Sequence, residues 1–154
     1  MNNKNQLHNR ELDRRLHLQG FDFITNARVA RRGGWVAVVV NTSRGYSAKR
    51  LQVNCASGPN SLEVVWVLVS PPSPVLNTKH FICISIYSPP RSKLNEKMIE
   101  HLQFNINKLT AQYPEAAILI GGDINNLPIR DICNSFPDMV NLVTDPTHGS
   151  CHCI

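Results

Sequence analysis

No apolar run in this sequence is long enough to cross a bilayer. The longest, Val64–Val69 and Phe81–Ile84, fall far short of the roughly 20 residues that a spanning helix needs. No apolar core segment follows Met1, so a secretory signal is not expected, and the expected setting is intracellular, nuclear or cytoplasmic. A paired disulfide framework is missing as well. The five cysteines, Cys55, Cys83, Cys133, Cys151 and Cys153, are scattered and odd in number, which suits a reduced protein. The terminal "CHCI" groups two thiols and an imidazole, but a structural zinc site draws its ligands from two separated turns and there is no second cluster. Repeats, low-complexity tracts and a domain-scale linker are absent, so the 154 residues read as one domain. Extreme charge is lacking too: 16 Lys and Arg against 11 Asp and Glu leave +5, which admits an anionic partner such as nucleic acid without requiring one.

What is present is a globular composition, with 42% hydrophobic and 18% charged residues. Residues 1–20 are polar, with Leu7, Leu12, Leu16 and Leu18 sparsely placed, and read as a weak helix or loose arm. "FDFIT" (Phe21–Thr25) alternates as a short strand does, and a basic, glycine-paired loop leads into a strand from Trp35 to Val40. "KRLQVN" predicts a short strand and "CASGPN" a turn. "SLEVVWVLV" (Ser61–Val69) and "KHFICISIY" (Lys79–Tyr87) are rich in β-branched and aromatic residues. The prolines of "SPPSPVLNT" make a loop between them. Leu94, Met98, Leu102, Ile106, Leu109 and Tyr113 then recur at helical spacing. They predict an amphipathic helix opened by Ser92 or Asn95 and closed near Pro114. "AILIGG" reads as a buried strand, Ile129–Asn134 as a helical turn and "MVNLVT" as a brief extended piece. Strands, a crossing helix and another strand predict a layered α/β domain.

The chemistry-bearing residues stand where "AAILIGGDINNLPI" leaves its strand. On a chain that stays extended past Gly122, Asp123 and Asn125 project to the same face. They would stand at the carboxyl end of a strand, where open α/β sheets bind ligands. Gly121 and Gly122 would let another backbone or a substrate approach closely. A carboxylate beside an amide can orient a water and hold a phosphate oxygen. Gly-Asp and Asn-Asn are equally common turn formers, so a plain strand-to-loop turn fits the same letters. Tyr87 ends "ISIYSPP"; its hydroxyl could reach a phosphate, or it could be a half-buried edge tyrosine with a wet tip.

The succession "GGWVAVVVN", "SLEVVWV", "FICISIYSPP", helix, "GGDINNLPI" and "PTHG" resembles the endonuclease/exonuclease/phosphatase superfamily. More narrowly, it is similar to the apurinic-type endonuclease domain of non-LTR retrotransposons, from about Arg10 to Ser150. The most specific elements are "GGDINN" and "IYSPP". The resemblance implies a layered β-sandwich flanked by helices, of the α+β type, and magnesium-dependent hydrolysis of DNA phosphodiester bonds. It implies that Asp123 orients or deprotonates the attacking water, that Asn125 helps position the phosphate and metal, and that Tyr87 contacts the scissile phosphate. The family's upstream asparagine and metal-binding glutamate have no match; Glu11 in "RELDRRL" lacks the strand context. Its downstream aspartate and final aspartate–histidine pair have none either. His148 and His152 stand in the wrong setting, and Trp35 stands where relatives often have glycine. The chain is therefore expected to be a domain incomplete at both ends. Residues 1–20 form an arm, 21–150 a partial endonuclease/exonuclease/phosphatase domain and 151–154 a tail. Its ancestral DNA-nicking activity is expected to be impaired or lost. The alternative is a catalytically dead fragment that binds nucleic acid weakly through Arg28, Arg31, Arg32, Arg44, Lys49 and Arg50, which also read as solvated loop charge. No membrane or protein partner is inferred.

Overall fold

The computed structural model describes residues 18–27, 35–54, 62–75, 78–90 and 93–143. Strands β1 (Phe21–Ala27) and β2 (Trp35–Asn41) pair antiparallel as a two-stranded sheet, with Phe21 opposite Asn41. A 3-10 turn at Thr42–Arg44 ends on Gly45, whose φ of 80° suits a residue without Cβ. It leads to β3 (Ser47–Arg50), β4 (Glu63–Ser70), β5 (His80–Tyr87) and, after helix α1 (Asn95–Gln112), β6 (Ala116–Asp123). These four strands form one sheet in the order β3-β4-β5-β6. The first two pairings are antiparallel and β5–β6 is parallel. Helix α2 (Ile129–Ser135) follows. Among the described residues no helix is long and apolar enough to cross a membrane.

The burial of alternate residues explains the layers. In β4, Trp66 faces one way with Ile82, Ile84 and Ile86 of β5, against Met98, Leu102, Ile106 and Leu109 of α1. Val65, Val67 and Val69 face the other way and meet Val36 and Val40 of β2. A strand buried on both faces has no polar side to show, which is why β4 reads as an almost unbroken apolar run. The apolar residues of α1 recur at three to four positions and so make one stripe. The result is a hairpin, a four-stranded sheet and a helical layer, an incomplete α+β sandwich. Two polar ties fasten the hairpin. The Asn26 side chain donates to the Val64 carbonyl at 2.9 Å, and the Arg50 guanidinium donates to the Thr25 carbonyl.

Several expectations need correction. "AILIGG" is the edge strand of its sheet, not a buried one: Leu119 is 47% exposed and residues 121–123 are exposed, because nothing pairs with its outer side among the described residues. "KRLQVN" leaves the ladder at Arg50, although Leu51 still donates to the Trp66 carbonyl at 2.9 Å. Asn95 is the first residue inside α1; Leu94 occupies the cap and no side chain caps it. "MVNLVT" forms no strand through Val143. Arg50 is a structural tie rather than solvated loop charge, whereas Arg44 and Lys49 are exposed. Glu11, Arg28, Arg31, Arg32, His148, Cys151, His152 and Cys153 lie outside the described residues.

Among the described residues, the helical core contains a polar cluster. Trp66 Nε1 donates to His101 Nε2 at 3.2 Å, edge-on to the ring. Asn105 grips the Asn54 backbone: its Oδ1 accepts from N at 3.2 Å and its Nδ2 donates to O at 3.0 Å. Because Nε2 accepts from Trp66, the neutral ring carries its proton on Nδ1, and a second ring proton on Nε2 would meet the indole N–H instead of an acceptor. Burial pushes the His101 pKa below its ordinary value near 6.5, against a smaller opposite effect of the Asn54 backbone. The folded chain then holds fewer protons than the unfolded one between these two values. The stability from neutral His101 is therefore complete above about pH 6.5 and lost as pH falls through the lowered folded value. Denaturant midpoints measured from pH 7.5 to 5 should fall, and His101→Phe should flatten that fall.

Candidate active site

The parallel pairing of β5 and β6 brings their carboxyl ends together. The register sets Tyr87 beside Asp123, one residue beyond the pair Ile86–Gly122. Paired positions in a ladder share a face. Tyr87 and Asp123 thus stand on the side opposite α1, Tyr87 half-buried against the valine cluster and Asp123 exposed. Gly122 has a φ of 130°, and a Cβ built there would lie 2.0 Å from the Ile86 carbonyl oxygen. Gly121 borders open space, so only the second glycine of the pair is demanded by close backbone approach.

Asp123 and Asn125 do come together, through the strand-to-loop turn that the letters allow and not through an extended chain. The strand ends at Asp123, and the chain turns at Asn125 and Asn126 instead of running on extended. Asn125 has a φ of 41°, a left-handed conformation that asparagine tolerates better than most residues. Its Nδ2 then donates back to Asp123 Oδ1 at 2.6 Å. The turn has further bonds to the exit of β5. Buried Ser88 donates its N–H to the Asp123 carbonyl at 2.8 Å, and its own carbonyl accepts from Asn125 Nδ2 at 2.9 Å. Ser88 Oγ donates to Asn95 Oδ1 at 2.8 Å, and Asn95 Nδ2 donates to the Asn126 carbonyl at 3.1 Å. Leu127, buried beside Ile132, seats the far end of the turn in the core.

This arrangement decides which atoms the pair can offer. Asn125 Nδ2 is engaged by Asp123 and Ser88, so the exposed pair presents chiefly carboxylate and amide oxygens. Such oxygens suit a water proton or a hard cation. Magnesium commonly keeps several waters and takes one or two carboxylates together with substrate oxygens, and that limited protein share is what Asp123 can supply. Among the described residues no group of three or more His, Cys, Asp or Glu could enclose a metal ion. Sequence reasoning passed over Glu63. It stands opposite Tyr87 across β4 and β5 with its Oε2 enclosed, which makes a row Glu63–Tyr87–Asp123 over three strands. The available signal was a lone carboxylate in the apolar run "SLEVVWVLV".

No protein-family model and no curated protein sequence matches the chain. Solved structures do match, among them a humanized D. rerio TDP2 carrying 14 mutations, a protein of the endonuclease/exonuclease/phosphatase fold. The match has 13% identity and a TM-score of 0.50, and it covers 81% of this chain and 50% of that one. The chain therefore spans half the length of that structure. At this identity the likeness is one of fold, and the fold here is an incomplete endonuclease/exonuclease/phosphatase sandwich.

The two glycines should respond differently to substitution. Gly122→Ala adds a Cβ against the Ile86 backbone at a positive φ and should cost at least about 2 kcal/mol. Gly121→Ala should change stability by under about 1 kcal/mol. Urea unfolding of both variants checks the contrast.

Proposed function

We propose that this domain is a DNA phosphodiesterase of the retrotransposon endonuclease type, dependent on a divalent metal and working far below the rate of a complete site. The observation that carries this reading is the acid–amide pair Asp123–Asn125, held beside Tyr87 at the carboxyl ends of two parallel strands in this fold. The reading takes residues 21–150 as the domain and a nuclear or cytoplasmic setting.

In this proposal Asp123 accepts a proton from, or orients, the water that attacks phosphorus. Its carboxylate is exposed and its orientation is set by the Asn125 amide. Asn125 Oδ1 accepts from the same water or from the metal's water shell. Tyr87 contacts a non-bridging phosphate oxygen from the neighbouring strand end. Magnesium, held through Asp123 and phosphate oxygens, would neutralise charge on the transferring group. Arg44 and Lys49, both exposed, would meet the DNA backbone, an attraction that weakens with salt. The sequence has no match for the family's metal-binding glutamate or its final aspartate–histidine pair. Such groups act as a unit, so a site that works without them keeps only a small part of the full rate. The lack of a three-ligand cluster among the described residues also supports a second reading, in which the domain holds DNA weakly and does not cut it.

Nicking of supercoiled plasmid separates the two. Slow magnesium-dependent relaxation is expected, reduced at least about a hundredfold by Asp123→Ala. Equal, negligible relaxation by both proteins would remove the hydrolase reading and leave the binding one.

A further inference from the structure

We infer that Ser88 and Asn95 are positioning residues that hold the Asp123–Asn125 pair in its working geometry, an inference that rests on the reading of that pair as the reacting site. Four hydrogen bonds carry it. Ser88 uses all three of its polar groups in this circuit: its N–H donates to Asp123, its carbonyl accepts from Asn125 and its hydroxyl donates to Asn95. Asn95 closes the circuit through Asn126, the residue after Asn125. The loop is thus tied both to the exit of β5 and to the first residue of α1.

A role for Asn95 in starting the helix does not explain this arrangement. Asparagine is among the poorer residues inside a helix and a favoured one at its cap. Here it lies inside α1, Leu94 takes the cap position, and the Asn95 side chain makes no cap bond. Both ends of its amide are instead spent on the segment between β5 and the acid–amide turn. Ser88 is similarly placed: it is 2% exposed, and its hydroxyl donates to Asn95 Oδ1.

The effect on the reacting groups follows from donors and acceptors. The Ser88 carbonyl draws Asn125 Nδ2 inward, which turns the amide so that Nδ2 also meets Asp123 Oδ1 and the amide oxygen faces away. Asn125 sits in the left-handed region, a conformation of higher energy that persists when its surroundings hold it. Loosening the circuit would free the amide to rotate. Asp123 would then lose the bond that fixes its carboxylate, with Tyr87 and the fold left in place.

Asn95→Asp separates this role from a structural one. It keeps size and the acceptor for Ser88, removes the donor to Asn126, and adds a negative charge in the first turn of α1, where the helix dipole favours one. A helix-starting role predicts an equal or higher melting temperature and an undisturbed loop. A positioning role predicts that the Asn125 side-chain amide signals, assigned by their loss in Asn125→Asp, move toward free-asparagine positions. Their exchange with water should rise about tenfold, the weight of one lost hydrogen bond. Ser88→Ala, which adds no charge, should do the same. In the plasmid assay both variants should lower kcat about tenfold with KM unchanged. Asn125 amide signals that stay unmoved in both folded variants would overturn the inference, whatever the nicking rates. A wild-type chain that does not nick DNA would overturn the hydrolase reading instead, and the amide signals would still decide the positioning role.

Discussion

The parallel pairing of β5 with β6 is the contact on which the rest depends. Parallel neighbours cannot be joined by a tight turn, so the chain must cross the sheet, and α1 makes that crossing. The crossing buries the stripe from Met98 to Leu109 against Ile82, Ile84 and Ile86 and so builds the larger core. The same pairing ends both strands at one level, which sets Tyr87 beside Asp123. Gly122 is needed for the last step of the ladder, since any Cβ there would strike the Ile86 backbone. Core, topology and candidate site thus share one set of hydrogen bonds.

On either side of this ladder, polar groups are used where a purely apolar contact would leave the geometry loose. Asn105 fastens the stretch after β3 to α1 by gripping the Asn54 backbone. Asn26 and Arg50 fasten the hairpin to the sheet. Ser88 and Asn95 fasten the turn after β6. A buried polar group is costly unless paired, so each such tie stabilises one arrangement against sliding alternatives. The tie at Ser88 has the clearest consequence for chemistry, because it orients the amide that orients the carboxylate.

Much of this was legible in the letters. The strands at Phe21, Trp35, Glu63 and His80 follow from β-branched and aromatic runs, and α1 from its helical spacing, because burial imposes those periods directly. The motif "GGDINN" beside "IYSPP" pointed to the strand ends that the ladder brings together. What was hidden is what pairing decides. An apolar run does not say whether it is central or at an edge, so "AILIGG" reads as buried while Leu119 of β6 faces outward. Nor does alternation choose between an extended exit and a turn, so both fit the letters at Asn125, which reaches Asp123 by turning back at a positive φ. Ser88, Asn95 and Glu63 give little signal, since their meaning lies in partners as many as 37 residues away, the span that separates Ser88 from Asn125.

In the proposed function, a divalent cation and a phosphate meet at the strand ends of β5 and β6. Titration of the isotope-labelled chain with manganese in the presence of a short DNA duplex tests it directly, by paramagnetic loss of backbone amide signals. Early, selective loss at Tyr87, Ser88 and Asp123 through Asn126 is the expected result. Loss spread evenly over the chain, or centred away from these strand ends, would contradict it.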